Sequence, residues 1–388
     1  MPPTLASEDA RATMKVLIAP DKFKGALNAR EVAENIAKGL LDVLPDAEIE
    51  IVPMADGGEG TAEAICEVRG CFWVEFKAHD PLGREIDARY GWIDREKLAV
   101  MEMSEAAGLR RLSESERDPV RANTFGVGEM ILAATRRGAN EIIIGLGGSA
   151  TNDGGFGMAR ALGYRFDYEQ EHEREKDSQR VIDLIDLRRI EKPQDLELPK
   201  IVAAVDVQNP LLGKNGATRV FGPQKGATKD KIDILERALV RLADVVMEQF
   251  GFDHRNESGA GAAGGLGFGL LSFCGAKIRP GFEVVAEAVG LKDKMKDADL
   301  VITGEGSLDR QTLEGKTPAG VARLARRLGR PVFAIVGRAT EDREVYELFD
   351  GVYENARPGM SEQENMRRTA ELLQENAREL AETLGVGL

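Results

Sequence analysis

The apolar positions of this chain change rhythm twice. At the amino end, short apolar runs alternate with segments whose apolar residues recur every three or four positions. "MKVLIAP" (14–20) reads as a buried strand stopped by proline. In "NAREVAENIAKGLLDVL" (28–44), Val32, Ile36, Leu40 and Val43 make one helical stripe, and Asn28 with Glu31 makes a capping box. A strand is predicted at "AEIEIVPM" (47–54) and a helix at "TAEAICEV" (61–68). From about 72 to 103 the period falls to two. "CFWVEFKAHD", "EIDARYGWID" and "KLAVMEMS" read as consecutive antiparallel strands.

A helix follows Thr124, then strands at 141–145 and 200–207, an amphipathic helix over 229–250 and a Gly/Ala-rich helix over 261–273. From 299 the strand–helix alternation returns. "DLVITGEG", a helix over 317–329, "PVFAIVG", a helix over 341–348 and "GVYENARPG" precede a last helix, capped by Ser361 with Glu364. Strands near 15, 49, 300, 332 and 352 therefore predict one five-stranded parallel sheet, interrupted by an insertion. The expected organisation is an α/β protein of two domains. Residues 14–76 plus 291–388 form a discontinuous parallel-sheet domain, and 77–290 an inserted domain with a mixed sheet. Residues 1–13 read as a frayed extension or a product of start-codon choice, and the charge run 167–180 as a solvated loop or helix.

Composition narrows the function. The 388 residues suit two domains at about 100–200 residues each. With 52 basic against 66 acidic residues, the net charge of −14 argues against a nucleic-acid partner. No apolar run approaches the ~20 residues of a membrane span. Three cysteines without a CxxC pair fit a reducing compartment, hence the cytoplasm. Three histidines argue against a histidine-centred mechanism or metal site; His79 reads as a turn or domain-joint residue. Glycine, at 43 residues, is roughly 11% against a usual ~7%, and clusters after apolar runs.

Ligands of open parallel sheets bind beyond the carboxyl ends of the strands. Those ends carry "DKFKG" (21–25), "ADGGEG" (55–60), "GEGSLDRQTLEGK" (304–316) and "GRAT" (337–340). Lys24 and Lys316 are placed to meet anionic oxygens, as phosphoryl transfer requires. Asp56 and Glu59, on a glycine-rich turn, suit Mg²⁺ or the orientation of substrate hydroxyls. In "GGSATNDGG" (147–155), Gly147, Gly148, Gly154 and Gly155 open the backbone to phosphate, Ser149, Thr151 and Asn152 supply donors, and Asp153 could hold a metal. Asp206 ends a buried strand and is the candidate carboxylate base. Asn209, Arg219 and Lys225 are candidate anion contacts, and Glu305, Asp309 and Gln311 complete the set. Each also has a plainer reading as a turn, cap or solvated loop residue. Two fingerprints fail. "GAGAAG" (259–264) follows no strand, and "GKT" (315–317) has Arg310 where a phosphate-binding P-loop needs glycine.

Taken together, "APDKFKGALNA", "PMADGGEGT", "GGSATNDGGFGMARALG", "DVQNPLLGKNGATRVFGPQKGA", "GAGAAGGLGFGL" and "DLVITGEGSLDRQTLEGKTPAGVA" resemble the bacterial glycerate kinase family, glycerate 2-kinase type, across residues 19–322. The resemblance implies a flavodoxin-like domain carrying an inserted mixed α/β domain. It also implies ATP-dependent phosphorylation of D-glycerate with Mg²⁺, in the cleft between the domains; it implies no oligomeric state. Asp206 would then be the base. Lys24 and Lys316 would hold anionic oxygens, and Asp56, Glu59, Asp153 and Glu305 the metal or its water shell. The charge run 167–180 stands where the family has a glycine-rich stretch. Two readings from other classes compete: a two-lobed solute-binding protein without turnover, and a dinucleotide oxidoreductase, which would need the absent strand–GxGxxG–helix unit.

Overall fold

In chain order the strands are β1 (Lys15–Ile18), β2 (Glu48–Ile51), β3 (Phe72–His79), β4 (Glu85–Ile93), β5 (Leu98–Glu102), β6 (Glu141–Gly145), β7 (Arg165–Tyr168), β8 (Leu187–Glu191), β9 (Lys200–Val205), β10 (Lys277–Pro280), β11 (Leu300–Thr303), β12 (Val332–Val336) and β13 (Gly351–Glu354). They come from a computed structural model that describes residues 13–169, 180–340 and 342–386. The chain forms two bodies. One combines the residues up to Pro53 with those from Gly290 onward; the other is Met54–Val289.

The first body holds the expected parallel sheet, in the order β13-β12-β11-β1-β2. Its middle strands are apolar on both faces, as a sheet covered on both sides must be. Val16 and Ile18 of β1 sit in one core with Leu300 and Ile302 of β11. The helix Ala29–Leu41 adds Val32, Ile36 and Leu40 to that core. It starts where predicted: Asn28 Oδ1 accepts the Glu31 N–H at 2.9 Å, and Glu31 Oε2 accepts the Asn28 N–H at 2.9 Å. The last helix is split, into Glu362–Arg367 and Thr369–Val386. Leu373, Ala377 and Leu380 of the longer piece pack into the same core.

The second body is built on a six-stranded mixed sheet, β10-β9-β6-β5-β4-β3. β5, β6, β9 and β10 are parallel, whereas β4 and β3 continue antiparallel. Its start differs from the boundary expected at residue 77. β3 begins at Phe72 and pairs with β4 along its whole length, from Phe72 opposite Trp92 to His79 opposite Glu85. The helix Thr61–Arg69 packs on β4 and β5, so residues 54–76 go with the second body.

Three features escaped the sequence pattern. β7 and β8 form a separate antiparallel pair flanking the charge run, of which residues 170–179 lie outside the described residues, as do residues 1–12. The cysteines are not all thiols. Left-handed Gly70 turns the chain back after Arg69, the Cα atoms of Cys66 and Cys71 come within 4.6 Å, and the two are disulfide-bonded; Cys274 is free. The Gly/Ala-rich helix, Ala262–Cys274, opens through left-handed Ala263, Gly264 and Gly265. A Cβ on Gly264 would stand 2.0 Å from the Thr151 carbonyl oxygen, so "GAGAAG" serves close backbone packing.

Candidate active site

In the second body, the carboxyl ends of β5, β6 and β9 deliver Glu102, Gly145 and Val205, and the segments beyond them carry the polar residues. The turn 55–60 lies across these ends. A Cβ on Gly147 would meet Gly58 Cα at 2.4 Å, and one on Gly148 would meet Glu59 Oε1 at 2.5 Å. Glu59 is thus brought against Gly147 and Gly148, with Asp56 on the same turn; both carboxylates are half-buried. Gly281, after β10, is equally tight, since a Cβ there would fall 1.8 Å from the Asp56 carbonyl oxygen. Asp206 follows β9 directly and is exposed.

Glu102 was not among the expected site residues. It is 7% exposed, and its Oε1 accepts the N–H groups of Gly60 at 2.8 Å and Ala62 at 3.1 Å. The helix Thr61–Arg69 has glycine at its N-cap and no side-chain cap of its own. Glu102 supplies that cap from another strand and fixes the acidic turn ahead of the helix. Burial raises its carboxyl above the usual range, against the pull of the Ala62 and Gly60 N–H groups. The sequence signal was faint: a glutamate closing the apolar run "LAVME".

The second half of "GGSATNDGG" faces inward. Asp153 is fully buried, and its oxygens accept the N–H groups of Thr124, Gly155 and Gly157 and the Thr124 hydroxyl. The carboxylate expected to hold a metal is therefore consumed in shaping its own loop. Gly154 and Gly155 do not open onto phosphate: they pack against Leu242 and Gly269, and the helix after them, Phe156–Ala161, receives its terminal acceptor from Asp153. Thr151 and Asn152 are also fully buried. Asn152 Nδ2 donates to Thr218 Oγ1 at 2.9 Å, while Thr151 Oγ1 and Asn152 Oδ1 lack a hydrogen-bond partner.

The basic candidates separate. Arg219 pairs with Asp233 and Glu236 at 3.5 and 4.0 Å, which turns it to the helix Lys229–Phe250. Asn209 Nδ2 donates to the Asn215 carbonyl at 2.7 Å and holds a turn. Lys225, a candidate anion contact, is instead 1% exposed, and burial brings its ammonium down to about 7, with Asp153 pulling the other way.

In the first body, Asp21 and Glu305 stand beyond the carboxyl ends of β1 and β11. The Asp21 N–H donates to the Gly304 carbonyl at 2.8 Å, joining the two turns. Thr317 donates its hydroxyl to Asp21 Oδ2 at 2.7 Å, and Thr312 donates to Glu305 Oε1 at 2.7 Å. Lys316 faces Asp309 at 3.8 Å, and Lys24 is exposed. Burial pushes the Glu305 carboxyl up to about 7; Thr312 and Lys316 oppose the rise, and Asp21 and Asp309 add to it. Thr312, Thr317 and Asp21 are further members of this group. The side chain of Gln311 lies outside the described residues.

Among the described residues no three His, Cys, Asp or Glu side chains gather as a metal-binding group. Of the expected set of Asp56, Glu59, Asp153 and Glu305, Asp153 is spent internally. Asp56 and Glu59 still offer hard oxygen donors on one turn. That fits Mg²⁺, which takes one or two carboxylates and completes its shell with water and phosphate oxygens. No helix among the described residues is long and apolar enough to cross a membrane.

The sequence profile of the glycerate kinase family matches residues 16–385. A glycerate kinase of Halalkalibacterium halodurans is 41% identical over 370 residues, covering 94% of this chain and 97% of that protein. The glycerate 2-kinase of Escherichia coli is 40% identical over 381 residues, covering 97% and 99%. A crystal structure from Salmonella typhimurium LT2, provisionally named glycerate kinase 2, superposes with a TM-score of 0.84 at 41% identity, covering 97% and 99% of the two chains.

Proposed function

The chain belongs to the glycerate kinase family, and we propose that it transfers the terminal phosphoryl group of ATP to a hydroxyl of D-glycerate, with 2-phosphoglycerate the favoured product. The observation that carries this reading is the similarity to glycerate kinases along nearly the whole chain, both bodies included. The chemistry at the strand ends is consistent with it. Phosphoryl transfer is mostly positioning and charge stabilisation, so it calls for cations, open backbone and a carboxylate near the attacking hydroxyl.

Asp206, exposed beyond β9, is the proposed acceptor of the hydroxyl proton. Gly147, Gly148 and Ser149 are proposed to meet anionic oxygens of substrate. Lys24 and Lys316 are proposed to do the same from the first body. Asp56 and Glu59 would hold Mg²⁺ through oxygen donors; the ion, when bound, neutralises phosphate charge. Use of ATP supports a cytoplasmic location, although the Cys66–Cys71 disulfide removes the cysteine-based argument for it.

A coupled assay of ADP release tests the reading. D-Glycerate should stimulate release in the presence of Mg²⁺, chelation should abolish it, and the product should be identified as the 2-phospho isomer. ADP release that is indifferent to D-glycerate would remove the proposal. Asp206→Asn should lower turnover by about 10²-fold or more; near-normal turnover would remove Asp206 from the role of base.

A further inference from the structure

Among the described residues of the second body, Lys225 is the most deeply buried cation, and the proposed chemistry does not yet use it. It closes the short turn Pro223–Lys225 and sends its side chain inward, where Nζ donates to Ser149 Oγ at 2.6 Å and to the Thr151 carbonyl at 2.7 Å. The preceding helix, Ala217–Phe221, holds the same loop a second time, through Thr218 and Asn152. Burying an ammonium costs several kcal/mol unless it is well paired, so a surface turn has no reason of its own to place a lysine there. In its ammonium form Lys225 has only donors. Once it donates to Ser149 Oγ, the serine's own proton must point elsewhere. The neighbouring backbone is fixed too: the Leu109 N–H donates to the Gly148 carbonyl at 2.8 Å, and the Ala150 N–H to the Ala107 carbonyl at 2.9 Å.

Building on the kinase reading, we propose that Lys225 is a positioning residue: it holds Ser149 so that the serine hydroxyl donates outward, beside Gly147 and Gly148, to an anionic oxygen of a bound substrate. The lysine acts through the serine and touches no ligand. The shared chemistry is an oxyanion, supplied by the carboxylate of glycerate or by a phosphate of ATP.

The test compares Lys225→Met, Ser149→Ala and the double variant in the glycerate-dependent ADP assay. Each single change should lower kcat/KM by about tenfold to a hundredfold, the range for a hydrogen bond to a charged group. The double variant should fall within threefold of Ser149→Ala, because both remove one device. A rise in KM for glycerate identifies the carboxylate as the oxyanion; a rise in KM for ATP identifies the phosphate. Ser149→Thr, which keeps the hydroxyl, should recover most of the loss, as a purely structural serine would not require. Fully multiplicative losses, or a folded Lys225→Met with unchanged kcat/KM, would overturn the proposal. Should Lys225→Met fail to fold, normal kcat/KM in Ser149→Ala overturns it alone. Absence of glycerate-dependent turnover in the wild type sinks the kinase reading. The positioning role is then decided by calorimetry with ATP, where equal affinities in wild type, Lys225→Met and Ser149→Ala overturn it.

Discussion

Asp153 and Thr124 are joined twice: Oδ2 of the aspartate accepts both the backbone N–H and the hydroxyl of the threonine, each at 2.8 Å. The threonine oxygen in turn accepts the Met158 N–H at 2.9 Å. The start of one helix, Phe125–Arg136, is thereby tied to the start of another, Phe156–Ala161, through a carboxylate without access to water. Asp153→Ala would strand several buried donors at once. It should cost about 3 kcal/mol or more of stability, read as a lower midpoint in urea. A loss below about 1 kcal/mol would show that the carboxylate does not organise this loop.

Glu305 makes stability depend on pH. Burial raises its carboxyl to about 7, above the 4.5 of an ordinary glutamate. The folded state therefore holds the proton more tightly across that window. The contribution is complete below the lower value and is lost as pH rises through the upper one. Between pH 5 and pH 8 this group should withdraw roughly 3 kcal/mol. Glu305→Gln, which stays neutral, should show a flatter pH dependence and exceed the wild type in stability at pH 8. Identical wild-type and variant profiles would show that the site does not penalise the charge.

Glu102 caps a helix that begins at the acidic turn. Glu102→Ala should lower stability by about 1–3 kcal/mol. It should also lower glycerate-dependent turnover by about tenfold or more, because Asp56 and Glu59 lose their anchor. Glu102→Gln keeps an acceptor oxygen and should retain most of both. Equal losses in the two variants would mean that the negative charge, not the cap, is what matters.

The disulfide is open to direct counting. Denatured, unreduced protein should present one reactive thiol, that of Cys274; three would show that Cys66 and Cys71 are not paired. Closing so short a loop is worth about 2 kcal/mol by chain entropy, so Cys71→Ser should lose about that much under non-reducing conditions.

Much of this fold was legible in the sequence, because parallel strands such as "KVLI" and "LVIT" announce themselves as apolar runs and Asn28 with Glu31 marks a helix start. Even the return of the chain to its first sheet could be read from the renewed alternation after 299. Side-chain direction could not. A lysine in a Gly/Pro-rich loop reads as exposed, yet Lys225 is interior because Ser149 and the Thr151 carbonyl satisfy it. Asp153, Gly154 and Gly155 look like a ligand loop, yet their partners are Thr124, Leu242 and Gly269, all remote in sequence. Glu102 was hidden for the same reason: its partners, Gly60 and Ala62, lie some forty residues upstream.

The interrupted first sheet also bears on synthesis. β1 lies between β2 and β11, yet β11 begins only at Leu300. A ribosome adding about 5–20 residues per second needs roughly fifteen to fifty-five seconds to travel from one to the other. During that interval the nascent amino-terminal strand has an unpaired edge of backbone N–H and C=O groups where β11 will lie. Until the carboxyl-terminal third emerges, that edge is open to pairing with other chains.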